Sequence, residues 1–168
     1  MKNFYLTIAL LLFFALQGQE ATTTIYLIRH AEKADDSADP ELSEAGKERV
    51  QKWVSYFKGK DIEYNYYTRT KRSLNTAIPI GTALEFVPNT TTNRQFEIYE
   101  GTNISLKEIA EKHIGKNMLV VGHSNTIPVI INTMLGKNIY KDIPENEYGN
   151  LYIIKIKGDN LSHELVKI

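Results

Sequence analysis

The stretch TTTIYLIRHAEKA, Thr22 to Ala34, joins an apolar run to a cluster of charges. Its first half is β-branched and apolar without helical spacing, the pattern of a strand covered on both faces. Its second half places Arg29, His30, Glu32 and Lys33 directly at the strand end. A later stretch, NMLVVGHSNTIPVIINTMLGK, Asn117 to Lys137, repeats the arrangement: apolar Met118 to Val121, then Gly122, His123, Ser124 and Asn125, then a helical run. Two strands thus end in a histidine.

The segments between them alternate in type. Val50, Trp53, Val54 and Phe57 recur at helical spacing behind Ser43 as N-cap, with Gly46 an early weak point and Gly59 the stop. IEYNYYT, Ile62 to Thr68, reads as a short strand leading into a helix that carries Leu74, Ala77, Ile78, Ala83 and Leu84, bent or broken at Pro79. The chain is then polar and irregular until FEIY, Phe96 to Tyr99, an extended piece. SLKEIAEKHIG predicts a helix capped by Ser105, with Glu108 completing a capping box. NLYIIKIKGDNLSHELVKI reads as a hairpin turning at Gly158 to Asn160. The expected fold is therefore α/β: a three-layer sandwich with a mostly parallel central sheet, an antiparallel edge and helices on both faces.

Of the 168 residues, the first 20 read as a segment apart. Lys2 precedes an apolar run, Phe4 to Leu16, which is shorter than the roughly 20 residues a membrane span needs. Residues 1–20 are read as a signal peptide and 21–168 as one domain, which places the protein in the periplasm or outside a bacterium with no stable membrane insertion after cleavage. An uncleaved N-terminal anchor is the competing reading. With no cysteine, the chain has no disulfide, thiolate nucleophile, thiolate metal site or lipoprotein processing. Twenty basic and twenty acidic residues balance, which argues against nucleic acid or a charged membrane surface as partner. No pattern speaks to the oligomeric state.

In open α/β sheets ligands sit outside the carboxyl ends of the strands. His30 and His123, 93 positions apart, would meet there, joined by the TRTKR loop, Thr68 to Arg72. Arginine forks and helix N-termini suit a phosphate dianion. The same cations would repel a metal ion, so neither a metal nor a cofactor is expected. Like-charge repulsion should keep a histidine among cations neutral, and neutral imidazole facing phosphorus is a nucleophile. The blander readings are that each histidine is a satisfied strand-end residue and that Arg69, Lys71 and Arg72 are a solvated helix start. Glu32 and Lys33 are given no catalytic role, and His113 and His163 are read as surface residues.

LIRHAEK, YTRTKRSLNTA and VVGHSNT, in that order, resemble the histidine phosphatase superfamily, the phosphoglycerate mutase-like proteins, and particularly its small members similar to phosphohistidine phosphatases. The resemblance runs from about Thr24 to the C-terminus. It implies that Arg29-His30-Ala31 stands for the family's R-H-G, with alanine replacing glycine, so that His30 is the phosphorylated nucleophile and Arg29 a phosphate ligand. RSLNTA matches R-A-x-x-T-A, which makes Arg72 the second phosphate arginine and puts Thr68 at the strand end. His123 becomes the second histidine, stabilising the transition state, and Asn125 a substrate-positioning residue. The general acid falls to Glu100 or Glu97, with a lean to Glu100 beside Gly101, or to neither, as in small members that lack a carboxylate in that place. Only 50 residues separate Arg72 from His123, which leaves little room for a lid and favours water as acceptor. The implied activity is hydrolysis of phosphomonoesters or phosphoramidates, on a small phosphorylated substrate or a phosphoprotein. The alternatives are a catalytically weak phosphate- or phosphoprotein-binding module and a mutase-like phosphotransferase.

Overall fold

A computed structural model describes residues 20–83 and 95–168. The signal peptide reading, except for Glu20, therefore lies outside the described residues, as do the predicted helix end at Leu84 and the irregular stretch as far as Arg94. Along the chain come β1 (Thr23–Arg29), α1 (Glu44–Phe57), β2 (Ile62–Thr68), α2 (Lys71–Ala83), β3 (Gln95–Tyr99), α3 (Leu106–Lys112), β4 (Asn117–Gly122), α4 (Thr126–Leu135), β5 (Asn150–Lys157) and β6 (Asn160–Lys167).

The two apolar runs become neighbours at the centre of one six-stranded sheet, ordered β3-β2-β4-β1-β5-β6. β1 pairs β4 in parallel from Thr24↔Asn117 to Arg29↔Gly122. β2 and β3 continue the parallel half, while β5 and its hairpin partner β6 add antiparallel pairs at the other side. All seven residues of β1 are buried, because alternate side chains enter two different cores. Ile25 and Leu27 join Met118, Val120, Tyr152 and Ile154 under α3 and α4. Tyr26 and Ile28 join Leu119, Val121, Leu151 and Ile153 under Trp53, Phe57, Ala77 and Ile80 of α1 and α2. Each such fully buried side chain contributes roughly 1.5–3 kcal/mol. The three-layer arrangement follows.

The layers create the functional edge. The helix after β1 lies on one face and the helix after β4 on the other, so the loops leaving these adjacent strands diverge and open a crevice between them. Arg29 and Gly122 are register partners, which brings His30 and His123 side by side. The His30 N–H donates to the Gly122 carbonyl at 2.8 Å, and Ser73 Oγ donates to the Val121 carbonyl, so the two strand ends and α2 are tied together.

Local signals are realised in detail. Ser43 Oγ accepts from the Gly46 N–H and Ser105 Oγ from the Glu108 N–H, capping α1 and α3. Gly46 is more than a weak point in the helix: α1 approaches so closely that a side chain there would run into the Glu32 carbonyl. Two expectations need correction. α2 passes unbroken through Pro79, because the ring forfeits a single N–H while Ala77 and Ile80 anchor the helix in the core. His113 is not on the surface: it caps α3 and is 7 % exposed, its ring stacked on Tyr64 with centroids 3.6 Å apart. His163 is exposed and pairs with the Tyr140 hydroxyl.

Candidate active site

His30 is 4 % exposed at the mouth of β1. Its Nδ1 lies 2.7 Å from the Ala31 carbonyl oxygen, which can only accept, so Nδ1 carries the proton and Nε2 keeps its lone pair. Arg72, at the start of α2, donates from Nε to that Nε2 at 3.2 Å. The Ala31 N–H donates to Thr76 Oγ1, whose hydroxyl in turn donates to the Arg72 carbonyl, so the nucleophile loop and the arginine are mutually positioned. The His123 ring lies 5.2 Å from that of His30, and its Nε2 is 2.9 Å from Thr68 Oγ1 at the end of β2.

Both histidines are held neutral. Burial is the larger cause for each, pushing His30 down to about 3 and His123 to about 4, and the Arg72 and Arg29 charges add to it. The bond to Ala31 pulls His30 the other way without overcoming burial. The expected neutrality thus holds, but water exclusion contributes more than the repulsion between cations. Unfolding should reflect this. The unfolded chain protonates both rings near pH 6.5 while the native one refuses the protons, so stability should fall as pH drops from about 6.5 to 5. The ceiling is ~1.4 kcal/mol per pH unit for each histidine. Urea unfolding across that window, which lies above the ordinary carboxylate range, measures it; an unchanged midpoint would contradict the neutral pair.

These groups line a polar crevice of about 220 Å³ with Arg29, Lys33, Ser37, Ser124, Asn125 and Glu145. Two guanidinium nitrogens, Arg29 Nε and Arg72 Nη1, are buried without a hydrogen-bond partner among the described residues. An unpaired buried donor is costly, and an anion in the crevice is the chemistry that would satisfy these two. Asn125 is exposed and makes no side-chain cap bond to α4, which leaves its amide for a ligand. Among the described residues no group of three or more His, Asp or Glu is placed to hold a metal ion, and no helix is long and apolar enough to cross a membrane. A larger cavity, about 540 Å³, lies at the other end of β1, among Thr23, Ala110, Met134 and Ile156.

A family model, the histidine phosphatase superfamily (branch 1), matches residues 25–105, which include His30 and Arg72. Over those residues the chain is similar to the histidine phosphatase superfamily. Solved structures give the same fold. A protein described as a phosphohistidine phosphatase, SixA of Agrobacterium tumefaciens, superposes with a TM-score of 0.62 at 16 % identity, over 86 % of this chain and 98 % of that one. YhfR of Bacillus stearothermophilus gives 0.62 at 15 %, over 83 % and 94 %. A mycobacterial glucosyl-3-phosphoglycerate phosphatase complexed with VO3 gives 0.62 at 11 %, over 84 % and 96 %. No curated protein sequence matches significantly.

Four of the residues singled out by motif, Arg29, His30, Arg72 and His123, converge on one crevice, with Asn125 at its rim. The two glutamates do not join them. Glu100 is exposed, its carboxylate 3.9 Å from Arg69, and Glu97 lies half-buried within β3; neither lines the crevice. Lys33 also lines it, while Glu32 pairs with Arg49 at 2.7 Å and ties the nucleophile loop to α1. The sequence reading also missed the segment Pro144 to Tyr148. Arg29 donates from Nη1 to the carbonyls of Pro144, Glu145 and Glu147, and from Nη2 to the Glu145 carboxylate at 2.6 Å. Its guanidinium also stacks over Tyr148, 4.1 Å from the ring centroid.

Proposed function

We propose that the protein is an exported phosphatase that hydrolyses small phosphomonoesters or phosphoramidates through a phosphohistidine on His30. The observation that carries the reading is the fixed tautomer of His30: Nδ1–H bound to a carbonyl, Nε2 unprotonated and flanked by Arg72 and His123. In the first step Nε2 attacks phosphorus in line with the leaving group. Arg29, Arg72 and His123 hold the equatorial oxygens, and preorganised donors of this kind stabilise developing charge without reorganising. Water then attacks the phosphohistidine, and the electron pair of the N–P bond returns to Nε2. No metal enters the scheme, because the guanidinium groups neutralise the phosphoryl charge.

The small crevice favours a compact phosphate compound over the surface of a phosphoprotein. Export rests on the apolar run Phe4 to Leu16, and the proposed location is the periplasm or the outside of a bacterium. The preference for water over a second substrate rests on the short interval between Arg72 and His123, part of which, residues 84–94, lies outside the described residues. Brief incubation with phosphorus-32-labelled acetyl phosphate followed by denaturation tests the chemistry. The expected phosphoenzyme survives alkali and is lost in acid, as a phosphoramidate does; a label lost in alkali but kept in acid would overturn the reading.

A further inference from the structure

The crevice has a carboxylate that no motif marks. Glu145 is the one acidic residue among those lining it in the described structure, and it is held there at both oxygens. Oε2 accepts from Arg29 Nη2 at 2.6 Å, and Oε1 accepts from Ser124 Oγ at 2.9 Å. The backbone of the same segment is anchored independently, through the three carbonyls on Arg29 Nη1 and through the Ile143 N–H on the Ser124 carbonyl. The side chain itself is 74 % exposed. The carboxylate is thus held by two side-chain hydrogen bonds at the solvent edge, on a backbone anchored by others.

A phosphate held bidentately needs two N–H donors on one edge of a guanidinium. On Arg29, Nη1 is taken by three carbonyls, so the edge with an unclaimed donor is Nε with Nη2. Nη2 of that edge carries two N–H groups and already has two acceptors, the Glu145 carboxylate at 2.6 Å and the Tyr148 hydroxyl at 3.5 Å. A phosphate that takes up this edge therefore competes with Glu145 for Nη2, and the carboxylate, exposed at the mouth of the crevice, is the group able to give way.

We propose that Glu145 is the catalytic acid and base of the reaction, placed beside the leaving group by the phosphate that displaces it from Arg29. This rests on the phosphatase reading above. In the resting site the Ser124 hydroxyl and Arg29 hold the carboxyl below its usual range, so it waits ionised. Loss of Arg29 and the arrival of a phosphoryl dianion both favour its neutral form, and it takes a proton from solvent. In the first step the His30 Nε2 lone pair forms the N–P bond. The P–O bond breaks with its electron pair staying on the leaving oxygen, and that oxygen takes the Glu145 proton. The products are phosphohistidine, an alcohol and a Glu145 carboxylate. In the second step the carboxylate takes a proton from the attacking water as the new P–O bond forms and the N–P pair returns to Nε2. Departing phosphate then frees Arg29, and Glu145 returns its proton to solvent as Arg29 recaptures the carboxylate.

The test compares wild type with Glu145→Gln on two substrates, p-nitrophenyl phosphate, whose leaving group needs little help, and glycerol 2-phosphate, whose alkoxide needs a proton. Glu145→Gln is expected to lower kcat on glycerol 2-phosphate by about 10²-fold or more, and to leave phosphohistidine formation from p-nitrophenyl phosphate fast but its hydrolysis slow, so that phosphoenzyme accumulates. Inhibition by inorganic phosphate should tighten, because an internal competitor for Arg29 has been weakened. A purely structural role for Glu145 predicts the opposite: weaker phosphate inhibition and no accumulation of phosphoenzyme from p-nitrophenyl phosphate. That result, an unchanged rate on glycerol 2-phosphate, or a selective loss in Glu100→Gln instead would overturn the proposal. If wild type hydrolyses neither substrate and forms no phosphoenzyme, the phosphatase reading itself falls and this inference with it.

Discussion

His30→Ala is expected to abolish phosphoenzyme formation and turnover together, while leaving the fold intact. The side chain is one of two neutral imidazoles in the crevice, and the pair differ in what surrounds the reactive nitrogen. His30 Nε2 meets only the Arg72 N–H, a donor that a phosphate can draw away, and its ring is fixed from behind through Nδ1. His123 has its Nε2 engaged by Thr68, so that nitrogen is not available for attack. Removing His30 leaves the arginines and His123 able to bind phosphate but nothing to accept the phosphoryl group. The expected pattern is therefore phosphate or vanadate binding retained, with kcat lost by several orders of magnitude. His123→Ala should behave differently, keeping a detectable phosphoenzyme with kcat lowered about 10²–10³-fold. Rapid-quench trapping on both variants separates the roles. A phosphoenzyme in His30→Ala would move the nucleophile elsewhere and sink the assignment.

The parts of this site that could be read from sequence are those in which chemistry and local structure coincide. His30 and His123 follow apolar strands, and Arg72 opens a helix behind a strand end; each of these contexts is written within a dozen neighbouring residues. The order of strands in the sheet then brings them together, because strands buried on both faces have to lie at its centre. The caps at Ser43 and Ser105 are legible for the same reason, since donor and acceptor are three residues apart. What escaped is non-local. Arg29 is surrounded by carbonyls 115 to 118 positions away, in a loop whose sequence, PENEY, reads as ordinary solvent-exposed turn. Glu100 resembled an acid on the strength of its place after the Arg72 helix and beside Gly101, but β3 ends at Tyr99 on the edge of the sheet, with β2 and β4 between it and β1, and the glutamate faces Arg69 there. His113 looked like a surface residue because a helix of seven residues shows too little periodicity to reveal which end is packed; its stacking on Tyr64 depends on the register of β2.

Arg72→Ala is expected to produce the other large loss, and for two separable reasons. The guanidinium is 18 % exposed, bonds the nucleophile through Nε, and leaves Nη1 buried with only a distant carboxylate, Asp39 Oδ1 at 3.8 Å. A phosphate that takes up the Nε and Nη2 edge draws Nε from His30, so that binding of substrate and release of the nucleophile's lone pair become one event. Deleting the side chain removes both the phosphate donors and the timing. kcat/KM should fall about 10²–10³-fold, the cost of removing a preorganised donor from a site of developing charge. Arg72→Lys should recover part of the binding through its charge but little of kcat, because an ammonium cannot span two phosphate oxygens as a planar fork does. The variant also carries a spectroscopic signature. Burial is the main cause of the low pKa of both histidines and remains, while the Arg72 charge that lowers them further is removed. Both rings should therefore titrate at higher pH in Arg72→Ala, with no comparable shift in Arg72→Lys. Imidazole proton resonances followed against pH would record it. Unmoved titrations together with kcat/KM within about threefold of wild type would show that Arg72 neither touches the phosphate nor governs His30.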